Sequence, residues 1–298
     1  MPTLYDRVKS GEFLFLDGGT GTELTRRGLQ HGDDPCWSAR AVLEQPDLVR
    51  AVHEDYVRAG SDILITNTFR ASPMMLEAHG LGERWEEINK TAVRLAYEAI
   101  ENVGAKRQVH VIGSVSAIVP DGTRPPEEVR RQHSRQSQVL AAAGAEAILV
   151  EMINDTTQGR LALEGAKEAG IALWAGLSCS LNERREPVLS ADGVLLDQAL
   201  AQLLPVGLRV ICFTHTMAAD IGACLEVLRQ HWTGPMGTIP HASRSPVPNQ
   251  YAADTYTPEE YRAKARKWIT SGVRILGGCC GVGPEYIRTA REGIQLLA

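Results

Sequence analysis

The sequence predicts an α/β chain built as a single (β/α)8 TIM barrel over residues 1–298. Two observations carry this. Eight short, near-continuously apolar runs alternate with eight longer amphipathic stretches, as strands buried on both faces and helices packed outside them require. No linker-like or low-complexity segment divides the chain. A doubly wound open sheet is the competing arrangement of the same alternation.

The strands are predicted, in order, at Phe13 to Leu16, Ile63 to Thr66, Val109 to Ile112, Ala147 to Val150, Ala172 to Ala175, Arg209 to Cys212, Met236 to Ile239 and Val273 to Leu276. Apolar residues at three- and four-residue spacing predict helices over Val42 to Arg58, Glu83 to Asn102, Glu127 to Ala143, Thr157 to Glu168, Leu195 to Leu203, Ala218 to Arg229 and Pro258 to Ser271. Pro284 to Leu297 closes the chain as an eighth helix. Glycine ends several helices, as at Gly60 in RAGSD, and proline opens others, as at Pro46 and Pro258. Arg124 to Pro126 and Ser243 to Tyr256 read as long loops at the barrel mouth.

Bulk properties exclude several classes. Charged residues make up 22% and apolar residues 44% of the 298, ordinary for a globular chain with a full core. A net charge of −5 gives no reason to expect nucleic acid or an anionic membrane surface as a partner. No apolar run approaches a membrane span, and MPTLYDRVKSGEF lacks the apolar centre of a signal peptide, so a cytoplasmic location is expected. Oligomeric state is not readable.

In a cytoplasmic chain the six cysteines are expected as metal ligands or buried thiols rather than disulfides. Cys36 and Cys224 read as core packing; Cys179 reads equally as pocket wall or packing. The adjacent Cys279 and Cys280 differ, because glycines flank them as GGCCG after the eighth strand. A barrel builds its active site at the carboxyl ends of its strands. Those ends carry Asp17-Gly18-Gly19, Thr66-Asn67-Thr68-Phe69-Arg70, Gly113-Ser114, Glu151, Ser178-Cys179, Cys212, Pro240-His241 and Cys279-Cys280. Three cysteines, Cys212, Cys279 and Cys280, therefore share one mouth, with strands six and eight separated by a single strand. Zinc takes thiolate ligands in tetrahedral geometry, and a catalytic site supplies three and leaves the fourth place open. Such a centre binds a substrate thiol as the thiolate, a nucleophile toward a methyl group on positive sulfur or nitrogen. Glu151 ends a buried strand and calls for a partner, either a substrate ammonium or an internal arginine. GGTGTE lacks the lysine of a phosphate loop and does not fit a dinucleotide fingerprint.

LDGGTGTEL at 16–24, the run from CWSARAVLEQPDL to LITNTFRAS at 36–72, ILVEMI at 148–153, VIC at 210–212 and GVRILGGCCGVGPEYI at 272–287 resemble the zinc-dependent homocysteine S-methyltransferases. This family includes the betaine-dependent and S-methylmethionine-dependent enzymes. The resemblance implies a (β/α)8 barrel with Zn2+ on Cys212, Cys279 and Cys280. It implies Asp17, Gly18 and Glu151 on the amino-acid end of homocysteine. It also implies Trp37 near a small methylated onium donor, where an aromatic wall suits the cation. Asn67 and Arg70 join the substrate-binding set, Arg70 standing where relatives often carry tyrosine or glutamine and suiting a donor carboxylate. The activity implied is methyl transfer to zinc-bound homocysteine, giving methionine, with no catalytic residue beyond the metal site. Three departures stand out: Ile211 before Cys212 where the family usually has asparagine, His241 in a motif that usually reads Pro-Asn-x-Gly, and Met152 in place of an aromatic residue. They keep open a different thiol or selenol acceptor, or a barrel subunit serving a separate corrinoid methyl carrier.

Overall fold

The computed structural model describes residues 2–30, 32–120, 124–242 and 256–295. Its eight barrel strands are β1 (Leu14–Phe15), β2 (Ile63–Ile65), β3 (His110–Ser116), β4 (Ala147–Ile153), β5 (Ala172–Leu177), β6 (Val210–Met217), β7 (Met236–His241) and β8 (Ile275–Leu276). All are parallel, and each pairs with its neighbour in sequence order, β1 also pairing with β8. A parallel bridge between Leu16 and Ile63 joins β1 to β2 and closes the ring. That bridge decides against the open sheet.

Strand alternation separates two cores. Leu14, Leu16, Ile112, Leu149, Trp174 and Ile239 fill the barrel interior. Phe15, Val111, Val150, Ile211 and Phe213 face outward onto the helices. Trp174 is fully buried within the barrel. This inside-and-outside burial is why the strands read as continuous apolar runs.

The predicted helices appear at Trp85–Val103, Pro126–Ala142, Thr156–Lys167, Leu196–Leu203, Ile221–His231, Pro258–Thr270 and Pro284–Gln295. The predicted first helix is two, Trp37–Glu44 and Pro46–Ala59. Pro46 has no amide hydrogen to continue the first helix and starts the second at its first position. Gly60 then caps it in the left-handed region, φ 110°. Three further helices, Leu4–Lys9, Thr20–Arg26 and Pro73–Ala78, and a hairpin pairing Cys179–Leu181 with Pro187–Leu189 escape the periodicity because each is too short to show a period. Pro126 already belongs to its helix rather than to a loop, and 243–255 of the second predicted loop lie outside the described residues. Among the described residues, no helix is long and apolar enough to cross a membrane.

Strand β6 is the main correction. It does not end at Cys212 but runs five residues further, to Met217. Phe213-Thr214-His215-Thr216 is a β-branched and aromatic run that favours extension. Cys212 therefore sits within the strand, opposite Gly237 of β7, and a different residue reaches the mouth.

Candidate metal centre and substrate pocket

Two loops at the mouth lock together through their backbones. The Gly19 amide donates to the carbonyl of Val282 at 2.9 Å, the Gly278 amide to the carbonyl of Asp17 at 3.0 Å, and the Gly281 amide to the Thr22 hydroxyl at 3.0 Å. Gly18 makes this approach possible: a Cβ there would lie 2.1 Å from the Val282 oxygen. The Cys279 amide donates to the Pro240 carbonyl and the Ala242 amide to the Cys280 carbonyl, both at 2.9 Å. The cysteine pair is thus pinned between the ends of β1 and β7.

Cys279 and Cys280 place their sulfurs 3.9 Å apart. His215 Nδ1 lies 3.4 Å from Cys279 Sγ. One donor atom each from His215, His241 and Cys279 falls within 4.8 Å of the others. The two imidazoles meet edge-on, ring centroids 5.2 Å apart. His215 Nε2 and His241 Nδ1 are buried with no hydrogen-bond partner. Soft sulfur and borderline imidazole donors, with buried nitrogens left without hydrogen bonds, fit a zinc-type ion. The Cys280 thiol is held well below its usual range, chiefly by the hydrogen bond from Cys279, then by His241; that same bond, with burial, pushes Cys279 well above it.

Two backbone kinks aim these side chains. β4 shifts register between Val150 and Ile153, with Met152 at φ 60°, and β6 between Thr214 and Met217, with His215 at φ 50°. Bulges re-aim strand side chains, and non-glycine residues in this region carry strain that clusters at functional sites. Glu151, beside the first kink, is buried. Its Oε1 accepts from the Ser114 hydroxyl at 2.5 Å and its Oε2 lies 3.6 Å from His215 Nε2. Its partners here are a hydroxyl and an imidazole, not the arginine that the sequence left open.

Asp17 is fully buried. Its Oδ2 accepts from the Ile65 amide at 2.9 Å, while Oδ1 has no partner. Burial, with the Glu151 charge adding, pushes its carboxyl well above the usual range. His53 Nδ1 lies 4.0 Å from Oδ2, and burial lowers that imidazole to about 4. Asn67 is oriented by donating to the Ser38 carbonyl at 2.8 Å. Trp37 starts its helix, half-buried against the outer core. Arg70 stacks on Phe69 at 5.6 Å, and Phe69 in turn lies 5.4 Å from His215.

The structure thus brings Glu151, Cys279 and Cys280 to one place and sets Asp17 and Gly18 on the loop that grips the cysteine turn. Cys212 is fully buried among barrel-interior residues and is not one of the three clustered donors. Sequence reasoning overlooked His215, because it ended β6 at Cys212, three residues short of that histidine. It noted His241 as a departure without reading it as a donor.

The sequence model of the family described as homocysteine S-methyltransferase matches residues 14–294. The chain belongs to this methyltransferase family. It is 28% identical to a selenocysteine Se-methyltransferase of Brassica oleracea var. italica, over 95% of this chain and 89% of that protein. It is 26% identical to the homocysteine S-methyltransferase YbgG of Bacillus subtilis, over 92% of each. The metallated form of the Escherichia coli homocysteine methyltransferase MmuM shares the fold, with a TM-score of 0.78, 24% identity, and coverage of 94% of this chain and 96% of that one.

Proposed function

We propose that this barrel, acting as one domain, moves a methyl group from a small onium donor to homocysteine, giving methionine, with Zn2+ held by Cys212 of β6 and the pair Cys279 and Cys280, Cys279 packing against the interior cluster that contains Cys212. The observation that carries this reading is the cysteine pair 3.9 Å apart at the mouth of a chain matching the family over 14–294. Bound zinc supplies a thiol-acidifying Lewis acid, taking a group of pKa about 8.5 to the nucleophilic anion at neutral pH.

The chain's own residues do the positioning. Glu151, already oriented by Ser114, is the anion for the amino group of the acceptor. The free Oδ1 of Asp17 is a second acceptor for that end. The Gly18 backbone, next in the same loop, joins Asp17 at that end. Trp37 supplies an aromatic face to the positive donor, and the Arg70 guanidinium suits a donor carboxylate. Asn67 lines the strand-two side. One carbon–sulfur bond forms as the methyl bond to positive sulfur or nitrogen breaks, and the donor leaves neutral at that atom. The thiol proton goes to solvent. Six free cysteines, two of them needed reduced, suit the cytoplasm.

Titration of homocysteine into the zinc-loaded protein tests the acceptor. Saturable one-to-one binding, lost on chelation, is expected; no heat of binding to fully zinc-loaded protein contradicts homocysteine as acceptor. A selenol acceptor is the second reading, favoured by the selenocysteine Se-methyltransferase relative. Competition between the two acceptors decides it.

A further inference from the structure

We infer that His53, on the helix Pro46–Ala59, is a positioning residue for the acceptor: it orients the Asp17 carboxylate so that the free oxygen of that group meets the acceptor's ammonium. This role deepens the homocysteine reading above and rests on it.

His53 is fully buried, and neither ring nitrogen has a hydrogen-bond partner. Two other buried histidines are treated differently. His110 Nδ1 lies 2.8 Å from Glu146 Oε2, and the two nitrogens of His133 sit 2.8 Å and 3.0 Å from the Val129 and Ser116 carbonyls. A buried imidazole with both nitrogens unpaired calls for a reason, because a leucine fills a similar volume without the desolvation penalty. Beside it stands Asp17, whose Oδ2 lies 4.0 Å from His53 Nδ1.

Asp17 supplies the other half. It is as buried as His53, and its two carboxylate oxygens are unequal. Oδ2 accepts from the Ile65 amide at 2.9 Å and faces His53, while Oδ1 has no partner. Burial pushes this carboxyl toward its neutral form, and an N–H directed at Oδ2 favours the anion. Burial also keeps the imidazole uncharged at neutral pH, so it offers one N–H and no positive charge to compete with the substrate's. With that proton on Nδ1, His53 and Ile65 together hold Oδ2 and leave Oδ1 for the ammonium. The Glu151 charge acts on Asp17 as well, which sets two carboxylates around one cation that has three protons to donate.

The same helix grips the other side of the mouth. Tyr56, one turn after His53, donates to the Val282 carbonyl at 2.9 Å, the oxygen that also accepts from the Gly19 amide. One helix face therefore reaches the Asp17 loop through His53 and the cysteine turn through Tyr56. A single rigid element sets the spacing between the ammonium anchor and the cysteine pair.

Isothermal titration of homocysteine into the zinc-loaded full chain tests this. His53→Leu keeps the bulk and removes the N–H; His53→Asn returns an amide N–H close to the place of Nδ1. His53→Leu is expected to weaken homocysteine binding at least about tenfold with one equivalent of zinc retained, and His53→Asn to recover most of that loss. In steady state the homocysteine KM rises while kcat and the donor KM stay within about twofold. In an Asp17→Asn background, His53→Leu should cost less than about twofold more, because the two residues act as one unit. An undiminished His53→Leu penalty in that background, wild-type affinity in His53→Leu, or equal losses in His53→Leu and His53→Asn overturns the role. Nitrogen NMR of the isotope-labelled wild-type chain reads the same contact without a variant: the His53 proton is expected on Nδ1, with a signal that moves when homocysteine binds. A proton on Nε2 and no response overturns it. A wild-type chain that binds zinc but not homocysteine overturns the acceptor reading, and this role with it.

Discussion

The Ser114 hydroxyl donates to Glu151 Oε1 at 2.5 Å, leaving the second carboxylate oxygen turned toward His215. The carboxylate is thereby held in one orientation before substrate arrives. Glu151→Gln removes the charge but keeps the shape. Hydrogen bonds to charged groups contribute about 1.5–3 kcal/mol, so kcat/KM for homocysteine is expected to fall roughly tenfold to over a hundredfold. Ser114→Ala should lower it less. Steady-state methionine formation checks both; an unchanged KM and kcat in Glu151→Gln contradicts its role.

Gly18→Ala tests the lock between the two mouth loops. The added methyl would meet the Val282 oxygen at 2.1 Å and the Tyr56 hydroxyl at 2.8 Å. Overpacking of this kind costs about 1–3 kcal/mol, and each kcal/mol lowers Tm by about 2–4 °C in a chain this size. A circular-dichroism melt indistinguishable from wild type would show that the loops part freely.

The buried His53 sets an acid limit on stability. Its imidazole falls to about 4 in the folded protein against an ordinary 6.5, because burial disfavours the cation. The unfolded chain therefore binds the extra proton between those values, and stability present above pH 6.5 is lost as pH falls toward 4. A displacement of that size corresponds to about 3 kcal/mol. Replacing it with His53→Leu should flatten this limb in urea unfolding measured from pH 4 to 7. An equal slope in both proteins removes His53 from the account.

Arg70 separates donor classes. If its guanidinium holds a donor carboxylate, Arg70→Ala should raise KM at least tenfold for betaine and leave a carboxylate-free sulfonium donor within twofold. Equal effects on both assign Arg70 to general packing on Phe69 instead.

Most of the barrel was legible in the sequence, for a physical reason. Strands buried on both faces are continuously apolar, and every predicted strand overlaps an observed one. The cysteine turn was legible because its glycines mark close backbone approach. His215 was hidden: its strand changes from apolar to mixed β-branched residues at Phe213, and a bulge, which has no periodic signature, decides where its imidazole points. Cys212 looked like a strand end for the same reason.

The most direct test of the central claim is methionine formation by the zinc-loaded chain. Homocysteine is supplied with betaine, S-methylmethionine, S-adenosylmethionine or dimethylsulfoniopropionate in turn, and methionine is measured by mass spectrometry. One methionine per methyl group lost from at least one donor is expected, abolished by chelation and restored by zinc. No methionine from any of the four, with zinc bound and homocysteine shown to bind, would contradict the account.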